Sequence, residues 1–386
     1  MKRILFIITA LTIFFSFIPP RASVARASDI SENNTGAVLC PPAVYLQLPD
    51  DCSPLGPSQY LTDMAHLGID LPQRPLEISR PDPTLSDLPY HYYKVNNSGT
   101  AFYPSLDAAI AKAGAGLTLP PGAFFYVVYS ERLDTKKGTY FLLPSGAIMP
   151  GDGSTVSLSN PFPGIQVLSP PRNAFGWVFN PTSIRREPNE MGFNIPTGQL
   201  KLNDIVQVYN TINVEGTIWN LIGPDQWVLG RDLAVVTPAT SQPDGVTNGR
   251  WIDVNLEEQT LAVYDANQMV YATVIATGLK PLFTRPGLFP IYKKKELETM
   301  QGERNTSNYY YLENVPWTMY FDKARALHGA YWRARMGYPQ SHGCVNLTPG
   351  DAHWLYNWAK VGDWVYVHDP SGQTPTDPSF YGDGGA

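Results

Sequence analysis

The sequence predicts a mainly β, multi-domain protein, and three observations carry that expectation. Of its 386 residues 68 are Gly or Pro, about 18% against the roughly 12% of average usage. Charged residues are scarce at 16%, while aromatic residues reach 12%, which places the Gly and Pro in turns between strands and not in disorder. Short runs of β-branched and aromatic residues recur along most of the chain, punctuated by turn-formers.

The chain opens with Lys2 and Arg3, an apolar run from Ile4 to Ile18, Pro19-Pro20 and then Ala25-Arg26-Ala27. A charged start, an apolar centre and an A-x-A site have the form of a secretory signal peptide over 1–27, with removal expected after Ala27. The apolar run is 15 residues, short of the roughly 20 that span a bilayer, so no stable transmembrane anchor is expected. Residues 28–90 form a Pro-rich entry segment with a helical stretch from Gln59 to Leu67. In an exported protein Cys40 and Cys52, close together in CPPAVYLQLPDDC, are the natural disulfide pair. Cys344 is then left as the odd thiol, and an unpaired thiol outside the cell calls for a reason.

Residues 91–170 carry strand runs at Tyr92–Val95, Ala123–Tyr129 and Thr139–Leu143, with a short helix at Leu106–Ala113 between them. Turns at Asn96–Gly99, Pro120–Gly122 and Lys137-Gly138 separate the runs, as expected of a small barrel or sandwich. Residues 171–238 repeat the style, with strands at Ala174–Phe179, Ile205–Ile212, Thr217–Ile222, Gln226–Gly230 and Leu233–Thr237. Their mid-domain Trp219 and closing QWVLGRDLAVV resemble a bacterial SH3-like barrel, and 91–170 has a similar texture. The resemblance implies a wall- or peptide-binding role; a rigid spacer is the other reading. Residues 239–249 read as a linker. Strands at Trp251–Asn255, Thr260–Tyr264 and Val270–Ala276 then open a final β-rich domain over 250–369, and 370–386 read as a flexible tail.

A net charge of -6 and a pI near 5.5 leave no electrostatic footprint for nucleic acid or an anionic membrane. The chemistry concentrates in two runs, Leu327–Trp332 and Ser341–Leu347. A thiol nucleophile needs a base, a group orienting that base, and donors for an oxyanion. Cys344 follows Ser341, His342 and Gly343 on a turn, and Thr348-Pro349-Gly350-Asp351 has the pattern of a capped helix start. Amides in such a turn converge on an oxyanion, and Gly343 lacks the Cβ that would crowd an approaching carbonyl.

His328-Gly329 followed by Ser341-His342-Gly343-Cys344-Val345-Asn346 resembles the active-site signature of the YkuD-type L,D-transpeptidases. The runs TGLKPLFTRPGLFPIYKK, VPWTMYF and GDWVYV fit the same family, and the resemblance covers about a third of the chain. It implies that Cys344 attacks the carbonyl between stem residues three and four of peptidoglycan, with His328 as general base oriented by the Gly329 backbone carbonyl. The terminal D-residue leaves, and an amine of a second stem resolves the thioester; water in its place gives L,D-carboxypeptidase activity. Peptidoglycan stem peptides are the implied partners, carbapenems the implied inhibitors, and no cofactor or metal is implied. Trp332, Asn346 and Tyr320 lie at positions that contact substrate in the family.

Other readings stand beside these. His342 is expected to shape the turn and lend its amide more than to act as a second base, and Ser341 either bonds a base or caps the turn. Trp332 and Asn346 also fit plain loop packing, as do the aromatics of Tyr309–Tyr311 and Trp317–Tyr320, where the family places a lid. A zinc site from His328, His342 and Cys344 lacks paired ligand spacing. His66, His91, His353 and His368 read as ordinary surface or helix-end residues. At the level of the whole chain, an enzyme attaching proteins to the wall and a non-catalytic wall-binding scaffold are the alternatives to a secreted cross-linking enzyme.

Overall fold

Alternating apolar residues give each strand one face to bury, and here two twisted sheets bury theirs against each other. The computed structural model describes residues 75–383 except 89, 97, 123, 158–162, 191–194 and 303–308, together with 64, 66, 67 and 69. The expected signal peptide over 1–27, Cys40 and Cys52 lie outside these residues, as does most of the Gln59–Leu67 stretch. Among the described residues no helix is long and apolar enough to cross a membrane.

The first sheet runs in the order Ile78–Ser79, Ile165–Val167, Gln268–Val274, Thr260–Asp265, Trp251–Asn255, Trp364–His368, Gly287–Pro290. The second runs Val345–Leu347, Arg325–Gly329, Tyr310–Asp322, Phe125–Tyr129, His91–Lys94, Ser154–Thr155, with Lys293–Gly302 also paired to Tyr310–Asp322. Between them lies a continuous core: Ile252, Val254, Leu261, Val263 and Tyr271 from the first meet Met319, Phe321, Leu327, Val345 and Leu347 from the second. The helix Pro349–Trp358 adds Ala352 and Leu355 to that core.

Strand pairing crosses the boundary that the sequence draws between 91–170 and 250–369. Phe125–Tyr129 runs parallel to Tyr310–Asp322 in the register Tyr311↔Phe125, and Ile165–Val167 pairs with Gln268–Val274. The two faces of this shared part of the second sheet bury different cores. Tyr92, Tyr126 and Val128 pack with Met300, Tyr310, Leu312 and Tyr331, whereas Tyr93, Phe125 and Val127 pack with Phe102, Phe141 and Met149. Outside this sheet, Glu131–Thr135, Gly138–Leu142 and Ile148–Pro150 make a three-stranded sheet, and Leu106–Ala111 forms the expected short helix, capped by the Ser105 side chain.

Residues 174–236 build small sheets of their own around Val178, Val208, Ile222, Val228 and Leu233. The expected strand Ile205–Ile212 is split at Tyr209 into Ile205–Val208 and Asn210–Val214, which belong to different sheets. Phe175 and Trp177 turn the other way and pack on Trp251, Tyr264 and Val274 of the first large sheet. The Trp177 indole donates to the Pro163 carbonyl at 2.9 Å.

Candidate active site

Two short parallel strands set the reactive groups side by side. Arg325–Gly329 pairs with Val345–Leu347 in the register Leu327↔Val345, His328↔Asn346, Gly329↔Leu347. Side chains alternate between faces, so Leu327, Val345 and Leu347 enter the core while His328 and Asn346 point to the other side. Cys344, one residue before the strand, falls on the His328 face, diagonal to it. Diagonal neighbours on one face lie within reach of each other. Both line one narrow cleft with Asn346, Trp332, Ser341 and His342.

The turn carrying Cys344 is held from several directions. The Ser341 hydroxyl donates to the Cys344 carbonyl at 2.6 Å and accepts from the Gly343 amide at 3.1 Å. Of its two sequence readings, Ser341 therefore occupies the turn-capping one. Gly343 has φ 116, a conformation that strains any residue with a Cβ. The Thr284 hydroxyl donates to the Gly343 carbonyl at 2.9 Å and accepts from the Gly278 amide at 2.9 Å. Backbone bonds Asn346 N–H to Ala276 O (2.9 Å) and Ser341 N–H to Thr277 O (2.9 Å) fix the turn against the neighbouring loop. Behind it, the Thr348 hydroxyl caps the helix by accepting from the Asp351 amide at 3.3 Å and donates in turn to the Asp351 carboxylate. The acid thus serves the cap through the hydroxyl and not through the backbone bond of a capping box.

Cys344 is 4% exposed and His328 2%. The Cys344 thiol lies 3.7 Å from the Ala324 carbonyl. Burial pushes this thiol up to about 11, against smaller lowering effects of a hydrogen bond to the Ala326 backbone and the Arg325 cation. Burial also depresses His328 to about 4, with Arg333 acting in the same direction and the Gly329 carbonyl opposing it. At neutral pH the pair therefore rests as thiol and imidazole, not as thiolate and imidazolium. Nδ1 of His328 faces the Gly329 carbonyl at 3.4 Å, which places the proton on Nδ1 and leaves Nε2 as the acceptor.

The depressed His328 has a consequence for stability. Between pH 6.5 and 4 the unfolded chain binds a proton at this site that the folded chain refuses, so stability present above pH 6.5 is lost on acidification. The loss amounts to about 3 kcal/mol. Glu258 and Asp351, raised by burial to about 7 and about 6, act in the opposite sense over an overlapping window. They are common to wild type and His328→Gln, so the difference between the two proteins isolates His328. Urea unfolding at pH 7 and pH 4 is expected to show the variant gaining about 3 kcal/mol relative to wild type on acidification. An unchanged difference would remove the buried neutral imidazole.

Of the remaining sequence-selected residues, Trp332 lines the cleft with its ring 5.6 Å from that of His328. Tyr320 pairs with Ala326 and stands outside the cleft lining, although it lies close enough to Cys344 for their charges to interact. The His342 ring rests against Tyr310 at 4.9 Å, as suits a turn-shaping residue. His353 and His368 are more engaged than surface residues: His353 stacks on Trp317 at 4.2 Å, and His368 meets Asp253 at 2.8 Å. Sequence reasoning missed Phe124, Met300 and Arg333 in the cleft wall. A roomier cavity of about 1110 Å³ lies across the strand from the cleft, lined by Tyr309, Tyr311 and Glu313 but without Cys344 or His328. The candidate nucleophile Cys344 and candidate base His328 both line the narrow one. Among the described residues no cluster of three or more His, Cys, Asp or Glu side chains is placed to hold a metal ion.

The model of the L,D-transpeptidase catalytic domain, YkuD, matches residues 249–367. YciB of Bacillus subtilis (strain 168), a protein provisionally named L,D-transpeptidase, is 28% identical over 127 residues, which are 30% of this chain and 63% of YciB. A solved L,D-transpeptidase of Stackebrandtia nassauensis is 28% identical over 36% of this chain and 64% of its own, with a TM-score of 0.28. The carbamoyl enzyme formed by Ldtfm with avibactam is 26% identical over 35% of this chain and 54% of its own, with a TM-score of 0.30. The chain thus spans under two thirds of the length of each of these relatives. The stretch that matches the YkuD L,D-transpeptidase catalytic domain, residues 249–367, is the one that contains Cys344 and His328, which line one cleft.

Proposed function

We propose that this chain is an exported peptidoglycan L,D-transpeptidase that works through a thioester on Cys344. The observation that carries the reading is the placement of Cys344 and His328 on one face of the parallel ladder, over one cleft. His328 Nε2 takes the thiol proton as Sγ bonds to the carbonyl of stem residue three, and the imidazolium returns it to the leaving amine as the C–N bond to the D-residue breaks. An amine of a second stem then attacks the thioester, and its proton passes through His328 back to the thiol. Because both groups rest neutral, proton transfer accompanies attack and no standing thiolate is required.

Amides of the His342–Cys344 turn are assigned to the oxyanion. Gly343 must then release Ser341, which holds its amide in the resting state. Trp332 and Asn346 are assigned to substrate contact within the cleft, and Tyr320 to its outer edge. Carbapenems are proposed to acylate the same thiol. The leader places the protein outside the cell, at the wall, and the module at 171–238, read as SH3-like, binds the wall or spaces the catalytic domain from the membrane.

The test is incubation of the purified protein with tetrapeptide stems and mass analysis of the products. A cross-linked dimer lacking one terminal D-residue, absent with Cys344→Ala, is the expected result. Tripeptide alone would turn the assignment to an L,D-carboxypeptidase. No product of either kind would favour a wall-binding scaffold.

A further inference from the structure

Arg333 follows Trp332 in the cleft wall, and its charge lies close enough to His328 to oppose imidazole protonation. Three other arginines of the same domain each face a carboxylate: Arg250 pairs with Asp265 and Asp363, while Arg285 and Arg325 share Asp322. Arg333 has no such partner among the described residues. Its terminal nitrogens donate to the side chain and backbone carbonyl of Gln340, and its Nε is buried without a hydrogen-bond partner. Its guanidinium lies 5.4 Å from the centroid of the Phe124 ring. The indole Nε1 of Trp332, next in the wall, is likewise buried and unpartnered. Burial without a counter-ion depresses Arg333 to about 10.

A desolvated cation without an anion is costly, and two unpaired donors in a catalytic cleft form a site prepared for an acceptor. A guanidinium fork matches a carboxylate, whose oxygens can accept from an indole N–H as well. We infer that Arg333 and Trp332 form a subsite for a carboxylate of the stem peptide, with the Phe124 ring holding the guanidinium. The inference rests on the proposed transpeptidase activity and adds a recognition element to it. Phe124 lies outside 249–367, so the subsite joins the catalytic domain to the segment before it. Two carboxylates qualify: the terminal one of the donor, one residue beyond the scissile carbonyl, and that of the acceptor stem. An anion at this position also screens the Arg333 charge from His328 and strengthens the base when substrate is bound.

The full-length protein is assayed with synthetic tetrapeptide stems as free acids and as C-terminal amides, with donor and acceptor varied separately. Wild type is expected to prefer the free acid by about tenfold or more in kcat/KM on one arm, which identifies the source of the carboxylate. Arg333→Gln is expected to lose that preference, read as the ratio of kcat/KM for acid to that for amide because loss of the charge near His328 alters both rates, and Arg333→Lys to keep part of it. Gln340→Ala, which cuts the loop contact but leaves the charge, keeps the preference; thermal unfolding of each variant reads folding separately. Equal use of acid and amide by wild type, or a preference that survives Arg333→Gln or disappears in Gln340→Ala, overturns the subsite while Cys344-dependent turnover stands. Absence of any Cys344-dependent turnover overturns the transpeptidase reading, and the subsite with it.

Discussion

Cys344→Ala is expected to lower kcat/KM for stem peptides by about three orders of magnitude or more, while leaving the protein folded. Acyl transfer through a thioester has no substitute once the sulfur is gone. The nearest hydroxyl in the turn, that of Ser341, is bound to the Cys344 carbonyl and the Gly343 amide. The surroundings tolerate the smaller side chain, because the turn is held by Ser341, Thr284 and backbone bonds, not by the thiol. Thermal unfolding beside the kinetics separates the two effects: a large fall in melting temperature would mean that the variant lost activity through its fold. His328→Asn is expected to be milder, about two orders of magnitude, since it removes proton transfer but leaves the thiol.

Gly164→Val is expected to destabilise the folded chain by about 3 kcal/mol or more, the range of severe overpacking. A Cβ at this position would stand 1.8 Å from the Tyr271 hydroxyl and 2.2 Å from Asp351 Oδ1. Neither neighbour has room to withdraw. Tyr271 donates to Asp351 at 2.7 Å and is stacked on Trp354 at 3.8 Å, and both Tyr271 and Asp351 are fully buried. Asp351 belongs to the cap of the helix that follows the Val345–Leu347 strand, so the disturbance reaches Cys344 through that strand. Urea unfolding measures the loss, and a midpoint equal to that of wild type would show that the contact is looser than this geometry.

Local pattern carried much of this architecture, and the limits fall where contacts are distant. Trp251–Asn255 is a strand over the expected residues because its alternation is local, and the Thr348 cap follows from four consecutive residues. Ile205–Ile212 read as one strand because both observed pieces are β-branched; only the sheets they join separate them. The parallel pairing of Phe125 with Tyr311 has no local signal, since register between segments so far apart depends on the whole sandwich. That pairing is what brings Phe124 to the cleft, where it had read only as part of the strand run Ala123–Tyr129. Arg333 was passed over for a related reason: in a loop rich in Arg a charge reads as solvated, and its burial without a counter-ion appears only in three dimensions. Cys344 and His328 could be selected together as candidates because their residue types and spacing suit one reaction, and the structure places both in one cleft. Their neutral resting state was not, since it depends on burial.

The most direct test of the nucleophile is the intact mass of the folded protein after incubation with a carbapenem, beside Cys344→Ala. A single stoichiometric adduct on wild type, absent from the variant, is the result expected of an acyl-accepting thiol in this cleft. No adduct on the folded wild type, or an adduct that persists in the variant, would contradict Cys344 as the acyl carrier.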